Sequence, residues 1–171
     1  MGMFMASVSF RCADREKWQK VRPAIEDMFL GLEGLVSNFD SEGPGYVILS
    51  PYGDMGMFLA ELPERITKLT GDYAIMAMCV DSDFDALELY QNGNLLEKTY
   101  IGDCFEEYDD FPEYDKPNID LWALLLTDPA GLEELRTALA DVDVFAEDNL
   151  RVLSELTGLP IFDDELMFGA E

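Results

Sequence analysis

The chain has 171 residues, of which 49% are apolar and 27% are charged, the size and mix of one globular domain. Its 36 acidic and 11 basic residues give a net charge of −25, which repels free nucleic acid and anionic membranes and attracts basic protein surfaces. Histidine is absent, which excludes Ser-His-Asp and Cys-His catalysis and histidine-ligated zinc or haem.

The first strand and helix are predicted from residues 3–31. Residues 3–11 alternate apolar and polar side chains, the pattern of a half-buried strand. Asp14 can cap a helix that runs toward Gly31. Pro23 falls inside this segment and should kink or split the helix, because proline removes a backbone donor.

A hairpin and a second helix are predicted next. Residues 35–39 and 46–50 read as short strands joined by a turn-rich pentapeptide. Apolar residues at helical spacing within residues 58–69 predict a helix that begins near Pro63 and ends at Gly71.

The clearest local pattern is a three-stranded meander over residues 73–100. Asn92-Gly93 supplies the positive φ angles that a tight hairpin turn needs. Helices are predicted after it, at residues 121–126, 132–139 and 145–157. The inward positions of all these patterns predict a core that includes Phe10, Trp18, Ile25, Ile75, Ala77, Leu89, Leu124, Leu135 and Leu153.

Together these elements predict a single α+β domain over residues 1–171. We expect a mostly antiparallel sheet of five or six strands with helices packed on one face and a helical C-terminal third. Cys12, Cys79 and Cys104 show no short pairing pattern, which favours a reducing cytoplasmic location. No motif predicts a cofactor or a metal site, and no apolar run approaches the ~18 residues of a membrane helix.

Residues 81–85, Asp-Ser-Asp-Phe-Asp, follow an apolar run and resemble the start of the phosphatase motif of the haloacid-dehalogenase superfamily. The resemblance covers five residues and departs from the family at Asp85, where Thr or Val is expected. Acidic residues of a second motif follow too closely for intervening α/β units. A calcium loop is also disfavoured, because Ala86 and Asn92 stand where an EF-hand needs Gly and Glu. We expect the aspartates to form a turn instead.

The acidic residues are concentrated in the second part of the chain, and one segment there combines them with aromatic rings. Residues 1–70 contain ten acidic and seven basic side chains, whereas residues 71–171 contain 26 and four. Seven of the thirteen residues in 103–115 are acidic and none is basic. Aromatic side chains are enriched at interfaces, and negative charge steers a basic partner toward them. The predicted partner-binding residues are Phe105, Glu106, Glu107, Tyr108, Asp109, Asp110, Phe111 and Tyr114.

Three functions are compatible with these patterns. The first is a non-enzymatic acidic module of the immunity or inhibitor type that docks on a basic protein. The second is an accessory or structural domain whose acidity reflects its cellular setting. The third is an enzyme that uses carboxylates or a divalent cation, for which the sequence offers no convincing constellation. For residues 103–115 the alternative is a loop whose rings pack inward while its acids face water.

Overall fold

The computed structural model describes residues 2, 4–30, 36–37, 47–50, 61–102, 113–142, 144–162 and 164. They form an α+β fold on an antiparallel sheet, as predicted. The strands are β1 (Met5–Phe10), β2 (Val36–Ser37), β3 (Val47–Ser50), β4 (Tyr73–Val80), β5 (Phe84–Gln91) and β6 (Asn94–Ile101). The helices are α1 (Arg15–Phe29), α2 (Leu62–Thr70), α3 (Ile119–Trp122), α4 (Leu132–Ala140) and α5 (Ala146–Thr157).

The sheet has the strand order β2-β3-β1-β4-β5-β6, and every neighbouring pair is antiparallel. β1 therefore lies inside the sheet and is buried on both faces, although its sequence predicts a half-buried strand. Ser7 and Ser9 occupy its second face, and the Ser7 hydroxyl donates to the Ile161 carbonyl at 2.9 Å. These small hydroxyl side chains make the sequence of β1 look polar on this face, although the face is buried.

The predicted meander is confirmed in β4, β5 and β6. Asn92 and Gly93 join the last two strands with φ angles of 52° and 76°, the conformation of a two-residue hairpin turn. Asp81 and Ser82 make the first connection with φ angles of 52° and 60°. Residues 81–83 thus turn between antiparallel strands, which does not fit the α/β phosphatase fold that their sequence resembles.

Helices cover both faces of the sheet, so the prediction of helices on one face is wrong. On one face, Ala74 and Met76 pack with the α1–α2 layer, which we define as helices α1 and α2. On the other, Ile75 and Ala77 pack with the α3–α5 layer, helices α3, α4 and α5. Because β4 is apolar on both faces, each face needs its own cover.

The helix ends follow the sequence, with one exception inside α1. The Asp14 carboxylate accepts from the Lys17 backbone N–H at 3.0 Å, and Gly71 and Gly158 end α2 and α5 with φ angles of 70° and 66°. Pro23 lies within a continuous α1, so the helix is not split there, and the alternative of a kink stays a prediction. Its position is exposed, where water can bond the carbonyl that loses its helical partner. None of the helices in the described residues combines the length and the apolar character that a membrane span requires.

Of the nine predicted core residues, Leu124 alone is misplaced, with 61% of its surface exposed. The chain tightens after α3 into a 3₁₀ turn over Ala123–Leu125. That turn has three residues per revolution, so it directs Leu125 inward with Trp122 and leaves Leu124 outside.

Candidate functional site

The predicted partner-binding segment can be located from its ends. β6 ends at Ile101 and Gly102, and the chain is described again from Glu113. There Asp115 pairs with β6 opposite Thr99: the Tyr100 N–H donates to the Asp115 carbonyl, and the Asp115 N–H donates to the Lys98 carbonyl, both at 3.1 Å. Both ends of the segment are therefore held at one strand. Seven of its predicted contact residues lie outside the described residues: Phe105, Glu106, Glu107, Tyr108, Asp109, Asp110 and Phe111.

Tyr114, the eighth predicted contact, is half-buried and hydrogen-bonded within the fold. Its hydroxyl donates to one carboxylate oxygen of Glu88 at 2.5 Å, and the Tyr90 hydroxyl donates to the other oxygen. Burial raises the pKa of both tyrosines, and the Glu88 carboxylate raises them further. Both hydroxyls therefore stay protonated and remain donors. Tyr114 fixes the C-terminal end of the segment to the sheet.

Lys98 and Lys116 complete this end of the segment. Lys98 Nζ lies 3.0 Å from a carboxylate oxygen of Glu113 and 3.6 Å from one of Glu88. The hydrogen bond to Glu113 is the main cause of the raised pKa of Lys98, so the ammonium stays charged. Lys116 Nζ lies 4.5 Å from the centre of the Tyr100 ring. Both ammonium groups thus interact with neighbouring side chains.

The two helix layers differ in charge. The α1–α2 layer contains six basic and four acidic residues within its helices. The helices of the α3–α5 layer contain two basic and six acidic residues. Arg136 pairs within the layer with Glu133 at 3.5 Å, whereas Arg151 pairs both with Asp148 in the layer and with Asp164 outside it, the latter at 2.9 Å. Because the layers lie on opposite faces of the sheet, the helices that cover one face have mixed charge and those that cover the other are mainly negative.

A buried polar cluster at the β4–β5 turn was not predicted from the sequence. Asp85 is fully buried, and neither of its carboxyl oxygens has a partner within normal hydrogen-bond limits. Glu147, in the first turn of α5, accepts from the Ser82 hydroxyl at 3.2 Å and lies 3.7 Å from the Cys79 thiol. The Ala146 N–H also donates to the Ser82 carbonyl at 3.0 Å. The cluster joins the turn to the start of α5.

The electrostatics of this cluster favour the protonated forms of Asp85 and Cys79. Burial raises the pKa of Asp85 well above its usual range; the Cys79 thiol opposes this effect and the nearby Glu147 carboxylate adds to it. Burial, followed by the charges of Asp85 and Glu147, raises the pKa of Cys79. A buried thiol with a raised pKa is a poor nucleophile. A sequence signal existed: Asp85 shares the inward face of β5 with Leu87 and Leu89.

Within the described part of the chain, no group of three or more histidine, cysteine, aspartate or glutamate residues could hold a metal ion. Compared with known proteins, the chain matches no protein-family model, no curated protein and no solved structure.

Proposed function

We propose that the protein is a non-enzymatic binding module that docks on a basic protein surface. The carrying observation is the separation of charge between the two helix layers. A protein that is acidic only for solubility needs no such separation, because charge distributed over both faces would serve equally well. The α3–α5 layer presents its negative charge on one side, where it can attract and orient a basic partner.

Local helix stability explains only part of the charge on the α3–α5 layer. Acidic residues in the first turns of α4 and α5 stabilise those helices through the backbone dipole, so their presence has a local explanation. The last turns of the same helices contain no basic residue, although a base there would be stabilising. Local helix stability therefore accounts for the acids at the helix starts but not for the scarcity of bases on this layer.

Residues 103–115 provide a second contact surface in this proposal. Their support is the attachment of both ends to β6, which limits the conformations that the segment must lose on binding. The acidic side chains would speed the approach of the partner and the aromatic rings would contribute apolar contact. We place this binding in the cytoplasm, where the cysteines would stay reduced.

The test is affinity capture from a lysate of the native host with matched charge variants. One variant neutralises the acidic layer through Glu133→Gln, Glu134→Gln, Asp148→Asn and Glu155→Gln. The control neutralises three acids of the α1–α2 layer and the residue that precedes α2, through Glu16→Gln, Asp27→Asn, Glu64→Gln and Glu61→Gln. All eight positions are exposed, and each variant removes four of the negative charges.

The native chain and the control should retain the same basic protein at low salt and release it at about 1 M salt, where the screening length is ~3 Å. The acidic-layer variant should retain much less. Equal loss in both variants would show that total charge, and not the α3–α5 layer, determines binding. Retention of no basic protein would reject the proposal in favour of an accessory role.

A further inference from the structure

A groove lies between α4 and α5 on the acidic side of the molecule. Its volume is about 290 Å³, several times the ~30 Å³ that one water occupies in the liquid, so it has room for a side chain. Apolar side chains form much of its wall, and Val144 at its edge is 65% exposed. The lining residues are Glu134, Thr137, Ala138, Asp141, Val144, Asp148, Asn149 and Val152.

The groove is preformed by a hydrogen-bonded floor. The buried amide of Asn149 donates from Nδ2 to the carbonyls of Ala138 and Asp141, both at 2.7 Å. These bonds use carbonyls at the C-terminal end of α4 that have no helical partner, and they fix α5 against that end. A groove with such a floor does not need to be assembled when a ligand arrives.

The rim of the groove selects positive charge. Three of its eight lining residues are acidic and none is basic. Asp148 is paired with Arg151, and the Asp141 carboxylate accepts from the Val142 N–H at 2.8 Å. Asp141 follows the last turn of α4, where the negative end of the helix dipole makes a carboxylate unfavourable and a cation favourable. The location of Asp141 gives up local helix stability and adds to the negative potential at the groove.

We propose that this groove is where the basic partner docks, and that it holds one aliphatic side chain from a segment with Lys or Arg on either side. The apolar wall matches the aliphatic group, and Glu134 and Asp141 match the flanking cations. This inference rests on the proposed function and makes it specific: it names the site and the chemistry of the contacting segment. Covering Val144 would also remove an exposed apolar side chain from water.

The probe is a fluorescein-labelled peptide Lys-Arg-Leu-Arg-Lys, compared by anisotropy at low salt with the same peptide carrying Ser in place of Leu. The native chain should bind the Leu peptide about tenfold more tightly, because the Leu side chain leaves water. Thr137→Arg places a bulky cation in the groove at an exposed position and should remove this preference. The control Gln19→Arg adds the same charge at an exposed position on α1 and should leave the preference unchanged.

Asp141→Asn gives a second measurement, with a substitution that removes a charge and leaves the size of the side chain nearly unchanged. It should weaken binding of both peptides and keep the tenfold ratio, because it changes the rim and not the apolar wall. Equal affinity of the native chain for the two peptides would overturn the groove and leave charge-driven docking intact. An unchanged preference in Thr137→Arg, or no binding of either peptide, would also overturn the groove as the docking site. In that case the capture experiment decides the proposed function separately, by whether a basic protein is retained.

Discussion

The α1–α2 and α3–α5 layers perform the same structural task, but their surfaces differ in charge. Each covers one apolar face of the sheet, and each contributes one buried tryptophan, Trp18 in α1 and Trp122 in α3. Their outer sides differ: bases outnumber acids on α1 and α2, whereas acids outnumber bases on α3, α4 and α5. Covering the sheet constrains only the inner side of a helix, so the outer charges are available to serve binding.

The largest expected effect tests whether both layers are equally integral to the fold. Trp122→Ala should lower the free energy of unfolding by about 3–5 kcal/mol, because the ring is fully buried and its indole N–H donates to Glu97 at 2.5 Å. Trp18→Ala should cost a similar amount through lost packing against Phe10. Urea denaturation measures both. A loss below about 1 kcal/mol for either would show that its layer is not packed on the sheet as described.

The second prediction concerns the buried Asp85 beneath the acidic layer. Because its folded-state pKa is raised, the carboxyl stabilises the fold fully below the ordinary aspartate pKa of about 3.9 and less as pH rises through the folded-state pKa. Asp85→Asn should therefore raise the Tm at pH 7, and this advantage should disappear near pH 4. Thermal melts across this range provide the measurement. A variant less stable than the native chain at pH 7 would contradict the assignment.

The third prediction tests whether Tyr114 attaches residues 103–115 to the sheet, as distinct from contributing to the stability of the core. Tyr114→Phe should reduce stability by about 1–2 kcal/mol, because Glu88 loses one of its two phenolic donors. Tyr90→Phe removes the other donor and is the matched control. Only the change at Tyr114 should increase proteolysis within residues 103–112. Equal cleavage in both variants would show that the segment does not depend on its Tyr114 contact.

The fourth prediction compares the segment with the α3–α5 layer in binding. Changing Glu106, Glu107, Asp109 and Asp110 to their amides should slow association with a captured basic partner about tenfold at low salt. The difference should vanish near 1 M salt. Stopped-flow association rates provide the test, with the four-site variant of the α1–α2 layer as control. An unchanged rate at low salt would limit docking to the helical layer.

The smallest expected effect concerns repulsion on the folded surface. Neutralising Glu133, Glu134 and Glu155 together should change the free energy of unfolding by no more than about 0.5 kcal/mol, because exposed charges are well screened. Salt near 1 M should stabilise the native chain more than this variant. If salt destabilises the native chain, favourable ion pairs outweigh repulsion among the carboxylates.

Several parts of the fold could be predicted because their causes are local. The Asp14 cap, the Asn92–Gly93 turn and the left-handed glycines at the ends of α2 and α5 depend on a few neighbouring residues. Leu124 could not be placed this way, because a 3₁₀ turn after α3 changed the direction of its side chain. Asp85 was overlooked because a carboxylate usually indicates exposure, although its spacing from Leu87 and Leu89 pointed inward.

The sequence by itself determined the α+β class, the order of the elements and the unequal charge of the two parts of the chain. These follow from periodicity, turn chemistry and composition, which are properties of short segments. The tertiary structure decided which helices cover which face of the sheet, and so converted unequal charge along the chain into opposite surfaces. It also brought α4 and α5 together to form the acidic groove, since packing between distant segments depends on all of them at once.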